Sequence, residues 1–307
     1  MISRGYLYVL CCASSFGIIP TLAKITYDEG ISPEIVVFFR ILAGSIFMGI
    51  WSSWSYRETL STKITQSFRA KNRPIAFLVL IIGIFVVGMS LGYLGSYKYI
   101  PVSLSVLLFF TFPFWVLVIN FLIDRQSIKP FKLLAFLLAF FGLSICLGPN
   151  WAILDIRGIF LVLLGSLCSA GMIVSASKAT KVISMADLVF FSNTIGATIV
   201  GLILFLSDGF SLSYSLNGWL GILSICIIFT IGQLSLFGAT KNIGSTQTSV
   251  MLNIEPIITI STAIILLGER LLLSQILGAF VILIALFMSS FELNKFKLLN
   301  IKKKTDS

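Results

Sequence analysis

The sequence predicts an all-α membrane protein, ten transmembrane helices laid out as two inverted five-helix repeats. Three observations carry that prediction. The 307 residues are 57% hydrophobic and 11% charged, with a mean hydropathy of +1.03, whereas a soluble domain carries about 25% charged residues. Apolar runs of roughly the 20 residues that cross a bilayer core as a helix occur ten times. Finally, Gly95, Lys98, Ile100 and Pro113 recur at Gly238, Lys241, Ile243 and Pro256, each 143 residues further on.

Taken in order, the first span (6–24) begins just after Arg4 and has the look of a secretory signal, but nine more spans follow, so it reads as a retained helix. The second (33–54) carries Arg40. The third (75–96) has Gly88, Gly92 and Gly95 at the spacing of small residues that lets helices approach closely. The fourth (101–123) contains Pro113, and the fifth (131–148) closes a first repeat over 1–148. Spans 158–177, 187–206, 217–237, 247–267 and 274–291 make the second repeat over 149–291, and 292–307 is a basic tail. The connecting loops are short and leave no room for a soluble catalytic domain.

The duplication extends to the early helices. Ser15, Gly17 and Lys24 match Ser169, Gly171 and Lys178 at an offset of 154, and Phe38, Phe39 and Gly44 match Phe190, Phe191 and Gly196 at 152. The fall to 143 later on is accounted for by the loop at 55–74, which is ten residues longer than its counterpart at 207–216. Five spans per repeat is an odd number, so the second copy enters the membrane from the opposite face. Such inverted repeats have two nearly equivalent arrangements, one open to each side.

The net charge of +10 does not point to nucleic acid, because of where the charges fall. With the N-terminus inside the cell, 17 of the 22 basic residues lie in cytoplasmic segments, four (Lys24, Lys98, Arg157 and Arg270) lie outside, and Arg40 is within a span. The positive-inside rule then puts both termini in the cytoplasm and the chain in the cell membrane. The tail residues Lys302, Lys303 and Lys304 suit anionic lipid. Lys24 and Lys178, at matching helix ends, suit the carbonyl terminus of a helix.

All five cysteines (Cys11, Cys12, Cys146, Cys168 and Cys226) fall inside apolar spans without metal or redox spacing, and read as packing residues. There is no histidine, so proton coupling would have to use a carboxylate. Neither a metal nor a cofactor is expected.

Glu255 is the costliest residue to bury. It lies about 12 Å into the ninth span at ~1.5 Å per residue, near the middle of a core ~30 Å thick, so it should be protonated, paired or facing water. It is the candidate proton carrier. Pro256 next to it frees a carbonyl in the preceding turn. The first repeat has Phe112 before Pro113, so only the second carries the acid.

Helical spacing aligns Thr248, Glu255, Thr259 and Thr262 on the ninth helix, and Cys226, Thr230, Gln233 and Phe237 on the eighth. Ser90, Tyr93 and Tyr97 form a stripe on the third, and Ser105, Phe109, Phe112 and Val116 another on the fourth. These faces are expected to line one substrate cavity where the repeats meet. For any single hydroxyl, a bond to its own backbone is an equally good account. Arg40, about 10 Å deep, has two readings: pairing with Glu255 until a substrate carboxylate competes for it, or turning outward to anchor its helix. The outward reading is favoured if the second helix faces lipid.

These residues resemble a known family. The five-plus-five plan, small residues before a lysine in the first helix (Ser15, Gly17, Lys24), Arg40 in the second, and the stretch from Gly238 through Pro256 to Gly268-Glu269-Arg270 are similar to EamA-type members of the drug/metabolite transporter superfamily. The first repeat departs from the pattern with Asp124-Arg125 where the second has Glu269-Arg270. The resemblance implies secondary transport of a small metabolite, often export of an amino acid or related compound; import and exchange are the alternatives, and the sequence leaves monomer and homodimer both open. No Walker loop argues for an ATP-driven pump. An intramembrane enzyme would need clustered nucleophiles, metal ligands or paired acids, which the spans lack, so no enzyme is expected. A channel or scramblase is the remaining class.

Overall fold

A computed structural model describes residues 4–56, 73–124, 155–207 and 214–268, together with parts of 134–145 and 272–288. The expected fifth span is largely outside these residues, as are the loop 57–72, Cys146, Arg125, Glu269, Arg270 and the tail. Among the described residues all regular structure is helical.

Helices α1 (Arg4–Asp28), α2 (Pro33–Tyr56) and α3 (Arg73–Ser96) are followed by a broken fourth span, α4 (Val102–Phe109) and α5 (Phe112–Asp124). The second repeat supplies α6 (Ile156–Ala179), α7 (Met185–Leu206) and α8 (Leu216–Ile243). Its ninth span is broken too: α9 (Ser245–Met251), a 3-10 turn (Leu252–Ile254) and α10 (Glu255–Leu267). A short apolar helix covers Ile276–Ala285. Seven of the ten expected spans are long and apolar enough to cross a membrane; the ninth is too interrupted to count by length.

Both breaks stand at the equivalent proline. Pro113 and Pro256 lack the N–H that would bond four residues back, and their rings crowd that carbonyl. The chain tightens instead: the Thr111 amide reaches Leu108 O at 3.2 Å, Phe114 N reaches Thr111 O at 3.1 Å, and the amide of Glu255 donates to Leu252 O. The uninterrupted faces expected from sequence are therefore split, with Thr248 on α9 and Ser105 and Phe109 on α4.

Side chains and capping fix the other ends. Ser184 accepts from the Asp187 amide, Ser215 from Gly218 and Asp155 from Arg157, each satisfying a free helix N–H. Gly268, at φ 64°, ends α10 in the left-handed region that glycine adopts without strain. Lys178 lies in the last turn of α6, as expected. Lys24 does not cap its helix, because α1 continues to Asp28 and buries Thr26 on the way.

Helix pairing follows the duplication. α1 packs along α8, its counterpart α6 packs along α3, and α2 packs along α7; likewise α1 meets α10 where α6 meets α4 and α5, and α2 meets α8 where α7 meets α3. The long pairs are antiparallel: Gly5 faces Ile243 while Gly221 faces Thr26, Gly171 faces Phe85 while Gly92 faces Leu161, and Gly49 faces Phe190 while Gly201 faces Phe38. α3 and α7 run in the same direction, with Gly83 beside Ser192 and Ile195, and Val87 beside Gly196.

Backbones touch where glycines meet, as in the α3–α6 seam of Gly92 and Gly165, because lipid offers no hydrophobic drive and close van der Waals contact must supply the attraction. Hydroxyl and amide pairs add to it: Thr21 with Thr262 at 2.9 Å, Ser45 with Thr194 at 2.7 Å, and Thr111 with Ser166 at 2.8 Å. Each joins one repeat to the other. Among the cysteines, Cys12 and Cys226 are buried, Cys11 is exposed, Cys168 is partly covered beside Gly88, and none of these four forms a disulfide.

Candidate functional site

At the centre of the helices lies a cavity of about 40 Å³, room for a few water molecules by the rule that each needs about 10–15 Å³ of such space. Both repeats line it. Phe16, Ile19 and Pro20 come from α1, Arg40 from α2, Met89, Tyr93 and Leu94 from α3, Phe109 from α4 and Phe112 from α5. Ser169, Met172 and Ile173 come from α6, Phe229 and Leu236 from α8, Leu252 from the 3-10 turn and Glu255 from α10.

Proline shapes three of these walls. Pro20 sits inside α1 and leaves the carbonyl of Phe16 without its usual helical donor; the breaks at Pro113 and Pro256 do the same for Phe109 and Leu252. Irregular backbone at membrane depth is tolerated where it is enclosed by protein or borders a cavity. Here all three interruptions adjoin one.

The walls are aromatic on the α3–α5 side. Phe109 stacks on Tyr93 with centroids 4.0 Å apart and planes at 16°, Tyr97 meets Tyr93 edge-on at 5.3 Å, and Phe112 lies 5.6 Å from Phe109. On the other side the guanidinium of Arg40 lies over the ring of Phe229, 4.3 Å from its centroid, and Phe16 stacks behind that ring at 6.0 Å.

Arg40 is 4% exposed and so is Glu255. The arginine therefore turns inward, against the expectation of an outward anchor, because α2 is wedged between α7 and α8 and Phe229 offers its guanidinium a ring face. The two charges border the same cavity but do not ion-pair, and among the described residues none hydrogen-bonds with the Glu255 carboxylate. At this depth such a group is held by what the cavity contains.

Of the residues expected at the site, Arg40, Tyr93, Phe109, Phe112 and Glu255 come together around this cavity. Tyr97 stands behind Tyr93, its hydroxyl buried without a partner, and Ser90 is buried in the same condition. Thr230 and Thr259 bond to their own helices, at Cys226 O (2.8 Å) and Glu255 O (3.2 Å). Gln233 is turned to α7, where its side-chain oxygen accepts from the Asn193 amide at 2.8 Å. Phe16, Pro20, Met89, Phe229 and Leu252 were not expected there. Pro20 offered a signal, a proline in mid-span; the others are ordinary apolar residues that only three-dimensional packing distinguishes.

The model of the EamA-like transporter family matches the sequence twice, over residues 3–148 and 156–291. The chain belongs to the EamA-like transporter family. This family is part of the drug/metabolite transporter superfamily, so the chain is an integral membrane protein with the two-repeat architecture of EamA-like transporters. No curated protein matches it significantly. Among solved structures 28 chains match; one, a crystal structure of a protein 15% identical, covers 95% of this EamA-like chain and 99% of its own, with a TM-score of 0.68. At that identity the likeness speaks for the fold alone.

Proposed function

We propose that this EamA-like protein is a secondary transporter that exports a small metabolite, an amino acid or related compound, across the cytoplasmic membrane by alternating access. The observation that carries the reading is one central cavity walled by both repeats and bordered by a buried basic and a buried acidic side chain that do not pair with each other. Arg40, Tyr93, Phe109, Phe112 and Glu255 contact the substrate. Ser90, Tyr97, Thr230, Gln233 and Thr259 support them from behind or join the site as the cavity widens. Widening is required, since the present volume holds water but no metabolite.

The helix directions support inverted repeats. α3 runs with α7, α7 opposes α2, and α2 opposes α1 across the short turn at 29–32, so α3 runs with α1. α6 opposes α3 and hence α1, its counterpart in the other repeat. Exchanging the conformations of two such repeats exchanges the open face. Both termini lie in the cytoplasm, by the distribution of basic residues.

Glu255 carries the coupling proton. The test uses protein reconstituted in liposomes and radiolabelled amino acids: a carrier shows faster uptake when unlabelled solute is trapped inside, and Glu255→Gln keeps that exchange while losing accumulation driven by a pH gradient. Uptake that never saturates and is indifferent to trapped solute would mean a channel or scramblase. A variant that still accumulates solute along the pH gradient would remove Glu255 from coupling.

A further inference from the structure

Arg40 is a buried cation without a counter-ion among the described residues. Among the described residues no acidic side chain lies within ion-pairing distance of it, and its Nε has no hydrogen-bond partner. A guanidinium does not discharge in a protein, so its burial is costly, and the Phe229 face offsets only part of that cost. The groups within its electrostatic reach are Tyr27, Tyr97 and Cys226. Both tyrosine hydroxyls are buried and, like Nε, unbonded. Besides the guanidinium's own Nε, two unused hydroxyl donors thus lie within reach of one positive charge that borders the cavity.

We propose that Arg40, Tyr27 and Tyr97 form an oxyanion subsite that takes a carboxylate of the transported solute. The proposal rests on the transporter reading and narrows it: the solute must carry a free carboxylate, its remaining body lying toward the apolar walls at Phe109 and Leu252. Donor chemistry favours carboxylate over a halide, because a planar guanidinium with two hydroxyls near it can satisfy two oxygens at once. It also explains why Arg40 and Glu255 border one space without meeting: a ligand sits between them. Tyr27 is on α1, Arg40 on α2 and Tyr97 just beyond α3, so a bound carboxylate ties three helices of the first repeat together.

The test is thermal unfolding of the purified full chain against the twenty common amino acids, simple aliphatic and aromatic acids, and the methyl ester and decarboxylated amine of each. At least one free carboxylate is expected to raise the unfolding temperature while its ester and amine do not. Arg40→Gln should abolish that shift. Tyr97→Phe and Tyr27→Phe, which remove one hydroxyl each and keep the ring, should weaken the ligand by about tenfold each, so the proposal stays testable should Arg40→Gln fail to fold. Sodium chloride at matched ionic strength should leave the unfolding temperature unchanged. The proposal is overturned if esters or amines stabilise as well as acids, if no carboxylate stabilises, if both tyrosine variants bind like the parent, or if chloride alone gives a shift that Arg40→Gln removes. Counterflow of the stabilising acid in liposomes judges the transporter reading separately, since an acid that binds through Arg40 without being exchanged sinks that reading and leaves the subsite standing.

Discussion

Gly92→Ala tests whether the α3–α6 seam holds the repeats together by backbone contact. A Cβ at position 92 would stand 2.5 Å from the carbonyl oxygen of Leu161 and 2.9 Å from both N and Cα of Gly165. Ordinary contact begins at 3.4 Å, so the helices must part by about 0.5–0.9 Å, a gap that forfeits roughly a quarter to a half of each atom pair's attraction. Backbone atoms cannot swing aside as a side chain can. Overpacking of this kind costs ~1–3 kcal/mol, against a gain of up to ~1 kcal/mol for replacing glycine in a helix. Gly95→Ala is the internal control, because its nearest neighbour, Leu161 Cδ1, is 4.0 Å away and only the gain applies. The two variants should therefore differ by about 2 kcal/mol, with Gly92→Ala unfolding several degrees below the parent in detergent and Gly95→Ala at or slightly above it. Should Gly92→Ala prove as stable as Gly95→Ala, the seam is not close-packed and the account of how the repeats adhere is wrong.

Three further outcomes follow from the same geometry. Gln233→Leu, which strands the buried Asn193 amide, should cost ~1–3 kcal/mol, and adding Asn193→Leu should recover part of it; strictly additive losses would show that the two amides do not interact. Phe229→Leu takes the ring from beneath Arg40 and should weaken a carboxylate ligand by about two- to thirty-fold, as a contact worth about 0.5–2 kcal/mol implies, whereas unchanged binding would place the guanidinium elsewhere in the bound state. Lys98→Met, by contrast, breaks a pair with Glu34 whose side chains are 43% and 36% exposed, and a shift in stability above about 1 kcal/mol would mean that this end of the bundle is drier than it looks.

Much of this was legible in the sequence because the bilayer simplifies the problem. With no water to satisfy backbone groups, an apolar run of sufficient length must be a helix, so seven spans fell where hydropathy put them. The repeat then announced which helices correspond. Glu255 and Arg40 could be picked out because a charge at that depth needs a reason. What hydropathy does not encode is rotation. Of the stripes on α3 and α4, Tyr93 and Phe109 border the cavity, but Gln233 lies on a face that α7 covers, and whether α8 turns it toward α10 or α7 depends on Asn193, a residue on the preceding helix. Helix ends were elusive too: Lys24 lies before the end of α1 because the aliphatic pattern stops while the helix continues into polar residues.

The position of the single acid follows from the way the repeats were kept and changed. Pro113 and Pro256 are retained in both copies, and each interrupts its span beside the cavity, where the carbonyls of Phe109 and Leu252 lose their usual helical donor. The backbone device is thus symmetric. The side chain before each proline is not: Phe112 closes the first break with a buried ring, 2% exposed, while Glu255 puts a carboxyl at the second. Arg40 shows the same split, since its counterpart at the 152-residue offset is Ser192, buried and bonded to Val189 O. Symmetry of the helices serves a scaffold with two equivalent arrangements; asymmetry of these two pairs gives the space between them a positive and an acidic side. Swapping the acid across the repeats, as Phe112→Glu with Glu255→Phe, tests this directly. The scaffold should survive, because each side chain moves to an equivalent break. A ligand that needs Arg40 should bind at least about tenfold less well, the worth of a misplaced charge-assisted contact. A swapped protein that bound its ligand as tightly as the parent would show that the acid's position relative to Arg40 does not matter, and that the two charges do not act on one solute.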